Sequence, residues 1–291
     1  MTTHTDARDQ RTHQPRSLIV TIYGLYAREA GGWLSVASLI RLMAELGVDE
    51  PAVRSSISRL KRRRMLEPGR LDGAAGYRLS DGARDILSEG DHRIFRRPAA
   101  RIEDGWLLAV FSVPESERAK RHLLRSRLEA LGFGTAAAGV WVAPAHAYDD
   151  TRRTLERLGL TDYVDLFRSD YLAFGDLKGA VTSWWDLDVL RELYDDFLQA
   201  HRPVLSRWRR RRSADDATAF ADYVSALTQW RRLPYLDPGL PADLLPKNWH
   251  GRQAADLFFA LQDQLADPAA RHVHVVTGGV GTSALPLVGP G

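Results

Sequence analysis

The tightest constraint on this chain is a stop-and-restart signal at Gly47-Val48-Asp49-Glu50-Pro51. Before it, Ser35 can cap a helix over VASLIRLMAEL, in which Val36, Leu39, Ile40, Met43 and Leu46 recur at helical spacing and Gly47 marks the end. After it, Asp49 is a good cap, and Pro51 suits a first turn because its missing N–H has no helical partner there. The helix that follows, AVRSSISRLKRRRM, has a narrow apolar stripe of Val53, Ile57 and Leu60. Its opposite face carries Arg54, Ser55, Ser58, Arg59 and Arg62, and no acidic residue lies between Arg54 and Met65. Upstream, SLIVTIYGLYAREA reads as a helix with Ser17 as its cap, Leu18, Ile22 and Leu25 on one face, and Gly31-Gly32 as its stop; Trp33-Leu34 then reads as a short extended piece. Downstream, two strands are expected at Leu66–Leu71 and Tyr77–Leu79, joined by the turn Asp72-Gly73-Ala74-Ala75-Gly76. Ser80-Asp81-Gly82 opens another helix, through about Ser88. Helix, helix, turn, basic helix and two-stranded ribbon is the order of a winged helix-turn-helix.

That order gives the basic face a chemistry. A helix fits the DNA major groove, and arginine bonds both guanine acceptors there, while phosphate contacts give affinity and register. Arg54, Arg59 and Arg62 supply forked donors, and the small Ser55 and Ser58 let the backbone approach closely. Lys61, Arg63 and Arg64 lie at the helix end, where they suit phosphates and the negative helix terminus. Arg70 and Arg78 are placed beside the wing turn, within reach of the adjacent groove or backbone. The bland reading is a solvated charged face, and the third-helix position before a ribbon weighs against it. Charge placement agrees: residues 1–100 hold 17 basic and 12 acidic side chains, a net +5, whereas residues 101–291 hold 23 and 25, a net −2. Only four of the 40 basic residues are lysine, a bias that fits either phosphate recognition or a GC-rich genome.

Beyond Arg96-Arg97-Pro98, which reads as a domain boundary, the pattern changes. Trp106–Val113 is an apolar strand ended by Pro114, residues 115–131 are helical, Phe133–Ala137 and Gly139–Ala143 are strands, Tyr148–Leu158 is a helix, and Tyr163–Phe167 a strand. The resulting β-α-β-β-α-β order is that of a ferredoxin-like domain. Helices are expected at Trp184–Ala200, Asp215–Trp230 and Gly251–Leu265, with a proline-rich connection over Pro234–Pro246. The expected class is therefore α+β: a polar, disordered leader at 1–16, a winged helix-turn-helix at 17–97, a ferredoxin-like domain at 98–175, a mainly helical domain for effector binding and dimerisation at 176–276, and a Gly/Pro-rich disordered tail at 277–291.

Several chemistries are excluded. Without cysteine there are no disulfides, thiol nucleophiles or thiolate zinc sites. The leader lacks an apolar h-region and no transmembrane run is present, so the default compartment is the cytoplasm, with no membrane partner. A metal nuclease needs clustered carboxylates, and Trp106–Val113 has none. His272 and His274 would share one face of a strand, but no third metal ligand is near in sequence. VHVVTGGVGTS imitates a strand entering a phosphate loop, yet it lacks the Lys-Ser/Thr pair and is followed by too little chain. No G-x-S-x-G or H-E-x-x-H occurs, and no coherent nucleophile–base set or cofactor is implied.

Tryptophans concentrate in the C-terminal region, where Trp184, Trp185, Trp208, Trp230 and Trp249 serve either as core or as walls of an aromatic pocket. Trp184, Trp185, Trp230 and Arg231 are the candidates for binding an acidic effector, Arg231 through a carboxylate or phosphate. The run Arg207–Arg212 is open between solvation, DNA contact and pairing with Asp215-Asp216.

The segments SLIVTIYGLYAREAGGWLSVASLIRLMAELGVDEPAVRSSISRLKRRRMLE, YRLSDGARDIL, GWLLAVFSVPESERAKRHLLRSRLEALGFG, GVWVAP, WWDLDVLRELYDDF and RRLPYLDPGLPADLLPKNWHGRQAADLF resemble the PaaX-like family of phenylacetate-degradation repressors, over about residues 17–265. The resemblance implies a cytoplasmic homodimer that binds double-stranded operator DNA and responds to a small-molecule effector, the best-known being the aromatic acyl-CoA phenylacetyl-CoA. It also implies that the middle domain is Cas2-like in fold. A regulator answering a different small molecule, an effector-free architectural DNA binder and an enzyme using the C-terminal domain stand as the alternatives.

Overall fold

The computed structural model describes residues 14–28, 32–95, 100–172, 174–210 and 215–279. Helix α1 spans Pro15–Ile22 and widens into a π-turn over Tyr23–Ala27. Its cap position is Gln14, without a side-chain bond, and Pro15 occupies the first turn; Ser17, expected as the cap, lies inside the helix. Strand β1 (Trp33–Ser35) leads into α2 (Val36–Glu45), where Ser35 Oγ accepts from Ser38 N at 2.9 Å. Leu39, Leu42 and Met43 are buried, while Val36, Ile40 and Leu46 are half-buried, so the packed face is rotated towards Leu42, which the expected stripe omitted.

The turn at Gly47 is a Schellman stop. Gly47 N–H donates to Ala44 O and Val48 N–H to Met43 O, with Gly47 at φ 74°. Helix α3 (Glu50–Arg62) restarts at once, with Asp49 Oδ1 accepting from Ala52 N at 2.8 Å. It stops by the same device, since Arg64 N–H donates to Lys61 O and Met65 N–H to Leu60 O; here the left-handed residue is Arg64, at φ 55°. Strands β2 (Leu66–Leu71) and β3 (Ala74–Leu79) form a hairpin. The expected five-residue turn is in fact two residues, Asp72-Gly73, both at positive φ, so β3 begins at Ala74 rather than Tyr77. A two-residue turn of that hand matches the twist of the strands, and the Asp-Gly pair is its usual sequence. The sheet order is β1-β3-β2, all antiparallel. Trp33 lies across this sheet: a Cβ on Gly76 would stand 2.4 Å from Leu34 O and 2.5 Å from the Trp33 indole, so only glycine fits. Helix α4 (Asp81–Phe95) starts from Ser80, whose Oγ accepts from Ala83 N and donates to Arg64 O at 2.7 Å, and it runs well past the expected end at Ser88.

The next elements are β4 (Trp106–Phe111), α5 (Arg118–Ala130), β5 (Gly134–Ala137), β6 (Val140–Pro144), α6 (Tyr148–Leu158) and β7 (Val164–Ser169). They follow the expected β-α-β-β-α-β order, and the antiparallel sheet β5-β6-β4-β7 has ferredoxin-like connectivity. One face packs on α5 and α6 through Leu107, Ala109, Trp141, Leu124, Leu128 and Leu155. The other buries Trp106 and Val142 against Val181, Leu187, Leu240 and Leu244. Helix α7 (Leu177–Trp184) is capped by Asp176, and α8 (Leu187–Arg210) follows after a break at Trp185, which is extended at φ −124° and ψ 140°. The helix expected over Trp184–Ala200 thus starts at Leu187 and runs on to Arg210, and the helix before it, which ends at Trp184, was not expected.

Helix α9 (Asp216–Trp230) is capped by Asp215, a short α10 (Leu233–Leu236) follows, and α11 covers Gly251–Thr277. Helix α11 runs twelve residues beyond the expected end because its apolar spacing continues through Leu261, Leu265, Ala269 and Val273, all buried. His272 and His274 are therefore helical, which corrects the strand expectation; the helix ends at Gly278 and Gly279, both at positive φ. The tail from 280, the leader to 13, Gly31, Arg96-Arg97-Pro98 and Arg211-Arg212 lie outside the described residues.

The chain forms two compact units. The first joins the N-terminal part through Phe95 with Phe197–Arg231 and the chain from Gln253; the second joins Arg96–Asp196 with Arg232–Arg252. Inside the first unit, α9 is built into the N-terminal helices. Thr228 Oγ1 donates to Thr21 Oγ1 at 2.8 Å, Arg231 Nη2 donates to Ser17 O at 3.2 Å, and Trp230 Nε1 donates to Ile94 O at 3.1 Å.

Candidate nucleic-acid interface

Helix α3 buries Val53, Ser56, Ile57 and Leu60 and leaves Arg54, Ser55, Ser58, Arg59, Lys61, Arg62 and Arg63 exposed. The sequence-derived outward face is therefore one continuous surface. Both ends of the helix are fixed, by the Asp49 cap and by the Schellman stop at Arg64, so the face is presented by rigid backbone. The hairpin is anchored beside it, where Tyr23 Oη donates to Tyr77 O at 3.0 Å and burial pushes the Tyr23 phenol far above its ordinary range. Lys61 Nζ stands 5.8 Å from the centroid of the Tyr77 ring.

Two carboxylates at this surface were missed in the sequence. Glu50 accepts from Arg54 Nε at 2.7 Å across one helical turn. Glu67 Oε2 accepts from Arg78 Nε at 3.1 Å and Nη2 at 2.9 Å across the β2–β3 ladder. The first was findable from its four-residue spacing; the second required the hairpin register. Both pairs are exposed, so they position arginine forks more than they stabilise the fold. Arg59, Arg62, Arg63 and Arg70 have no carboxylate partner among the described residues. Arg70 sits one pair from the hairpin turn, whereas Arg78 is at the far end of β3, opposite Trp33 and Glu67. The expectation that both flank the turn holds for Arg70 only.

The four aromatic and basic candidates for effector binding fall into different units. In the second unit Trp184 and Trp185 are half-buried around Trp106, with ring centroids 6.0 and 6.2 Å away, and Trp185 Nε1 donates to Gly132 O at 3.0 Å. A Cβ at Gly134 would approach the Trp185 indole to 2.7 Å, which fixes glycine there. In the first unit Trp230 is fully buried, stacked on Phe258 at 5.0 Å and 10°. Arg231 beside it is half-buried and reaches back to Ser17 O. A cleft of about 370 Å³ in the second unit is lined by Trp106, His146, Tyr148, Asp149 and Arg168 among others, without Trp184 or Trp185.

Other expectations resolve individually. Arg207 pairs with Asp222 at 2.6 Å, not with the Asp215-Asp216 pair; Asp215 caps α9 and Asp216 pairs with Arg271 at 2.9 Å. His272 Nε2 lies 2.6 Å from Glu45 at the end of α2. Among the described residues no group of three or more His, Asp or Glu side chains is placed to hold a metal ion, and no helix is long and apolar enough to cross a membrane.

Comparison with known proteins gives this architecture its class. The family profile "PaaX-like protein" matches residues 14–83, "PaaX protein central Cas2-like domain" matches 99–181, and "PaaX-like protein C-terminal domain" matches 185–275. The transcriptional repressor PaaX of Escherichia coli (strain K12) is 28% identical over 282 residues, which is 94% of this chain and 87% of that protein. The uncharacterised protein Rv0674 from Mycobacterium tuberculosis has a similar fold, with a TM-score of 0.57 and 22% identity over 92% of this chain and 99% of that one. The homology defines a transcriptional regulator rather than an enzyme. The chain belongs to the PaaX-like family.

Proposed function

We propose that the chain is a ligand-responsive, DNA-binding repressor. Its N-terminal portion acts as a winged helix-turn-helix, in which α3 enters the major groove and the β2–β3 hairpin is the wing. The observation that carries this reading is the exposed face of α3, a row of arginines and small serines held on a helix fixed at both ends. Arg54, Ser55, Ser58, Arg59 and Arg62 meet base edges and nearby backbone; Lys61, Arg63, Arg70 and Arg78 meet phosphates. The domain assignments inferred from sequence belong to the same proposal, as do a cytoplasmic location and a homodimer placing one basic helix on each half of a palindromic operator.

The effector is an acidic or thioester small molecule, with an aromatic acyl-CoA such as phenylacetyl-CoA as the leading choice from family resemblance. Trp184 and Trp185 are the candidate aromatic contacts in the second unit, Trp230 and Arg231 those in the first. Any such ligand acts only by binding one arrangement of the protein more tightly than another. The hydrogen bonds from α9 to α1 support a route from the C-terminal helices to the basic helix within one unit.

The test is fluorescence anisotropy on DNA upstream of the protein's own gene, at two salt concentrations, with wild type and the variant Arg54→Ala/Arg59→Ala. Tight sequence-selective binding, lost in the variant, is expected. Equal weak binding by both proteins sinks the reading. The same assay then titrates aromatic acyl-CoA thioesters, and no change in DNA affinity with any of them removes that effector class.

A further inference from the structure

Helices α5 and α6 cover the same face of one sheet, yet their surfaces are charged in opposite styles. On α6 the signs alternate: Asp149, Asp150, Arg152, Arg153, Glu156 and Arg157. There Arg152 pairs with Glu156 at 2.8 Å and Arg153 with Asp150 at 2.6 Å. That is a self-neutralising solvated face. Helix α5 instead carries Arg118, Lys120, Arg121, Arg125 and Arg127 against the single acid Glu129. Lys120 is satisfied by Glu117 at 2.7 Å and Arg121 by Glu115 at 2.9 Å, both from the turn before the helix. Arg118, His122, Arg125 and Arg127 have no carboxylate partner among the described residues.

These side chains are partly preset. Arg121 Nη2 also donates to Val113 O at 2.8 Å, and the Arg125 guanidinium lies 5.9 Å from the Trp141 ring centroid. Arg118, Arg121, His122 and Arg125 line an open cleft of about 390 Å³ together with Ser126 and Glu129. The row is linear. At the helical rise of ~1.5 Å per residue, Arg118, His122 and Arg125 are spaced by about 6 and 4.5 Å along the axis. Arginines set out in a row along one helix, rather than converging on a point, suit the spaced charges of a repeating phosphate chain.

We propose that the exposed face of α5 is a second contact surface for the phosphate backbone of duplex DNA, distinct from α3 and blind to sequence. It adds affinity through released counterions and leaves base reading to α3. The proposal rests on the DNA-binding reading above, and its test separates the two.

The experiment titrates KCl in the anisotropy assay with the full chain, on the upstream DNA and on an unrelated duplex of equal length. Four proteins are compared: wild type, Arg54→Ala/Arg59→Ala, Arg118→Ala/Arg125→Ala, and Arg118→Lys/Arg125→Lys. The α5 alanine variant is expected to lower the slope of log K against log salt by about two for each bound protomer, so about four for a homodimer, on both duplexes at ~0.9 per phosphate contact, with selectivity between them unchanged. The lysine variant keeps the slope, because it keeps the charge; thermal melts of all four proteins check the fold. A wild-type slope and affinity in the α5 alanine variant overturns the proposal. So does a result in which that variant loses binding of inorganic pyrophosphate by calorimetry while its DNA slope stands, since the cleft is then a small-phosphate site. If Arg54→Ala/Arg59→Ala binds like wild type, the α3 reading fails in a separate protein.

Discussion

Helices α3 and α9 belong to the same unit and have similar lengths, 13 and 15 residues, but the chain uses them in opposite ways. Helix α9 is buried nearly all round: Phe220, Tyr223, Val224, Leu227 and Trp230 on several faces, with Thr228 also inside. Helix α3 sinks one stripe and displays the rest as arginine, lysine and serine. A helix apolar all round is a core element, and one with a single stripe has a free face to offer a partner. Stability is therefore concentrated in α9, and the face proposed for DNA contact lies on α3, although the two lie far apart in sequence. Substitutions separate the two roles.

The largest effect is expected at the core. Trp230→Ala removes a fully buried indole stacked on Phe258 and orphans the Ile94 carbonyl, and it should cost about 3–5 kcal/mol in urea unfolding. A cost below ~1 kcal/mol would break the comparison at its stronger end. Next comes Thr21→Val. It takes away the acceptor of the buried Thr228 hydroxyl and should cost about 1–3 kcal/mol, with DNA affinity at saturating folded protein unchanged. Arg64→Gly should act in the other direction. Arg64 holds a left-handed conformation that costs a side-chain-bearing residue about 1–2 kcal/mol, against ~0.5–1 kcal/mol for the added freedom of glycine, so the melting midpoint should rise. A fall would mean that the Arg64 side chain contributes more than its backbone costs. The smallest effect on folding belongs to Arg54→Ala/Arg59→Ala, expected within about 0.5 kcal/mol of wild type because both side chains are exposed. The same variant should lose about 1–3 kcal/mol per arginine of its preference for the upstream DNA over an unrelated duplex. A stability loss comparable to that of Thr21→Val would show that α3 is not a free face.

What the sequence disclosed, and what it withheld, divides along the same line. Local chemistry was legible: the Ser35 and Asp49 caps, the stop at Gly47 and the buried Val53, Ile57 and Leu60 all depend on residues within one or two turns. The hairpin was legible in outline, but its turn was read too wide because Ala74 and Ala75 carry no strand signal of their own and are strand only by pairing with Arg70 and Leu71. The break at Trp185 and the long run of α11 were missed for a related reason. Trp185 leaves the helix to pack on Trp106 and to bond Gly132, over fifty residues away, while the alternating histidines at 272 and 274 mimic a strand across what is one turn of helix. The candidate site shows both sides. The basic face of α3 follows from periodicity alone, but the carboxylate on Arg78 depends on strand register. The separation of Trp184 and Trp185 from Trp230 and Arg231 depends on which segments fold together.

The hydroxyl pair joining α1 to α9 has a consequence for how the protein is made. Thr21 and Thr228 are 207 residues apart, so the part of the α1 packing face that meets α9 stays uncovered until 207 further residues have been made. At elongation rates of ~5–20 residues per second, that interval is roughly 10–40 s. The segment that carries the proposed DNA-reading surface is thus made well before the helix that completes its packing. A nascent chain interrupted before α9 would carry the arginine face without the partner helix that closes the core behind it.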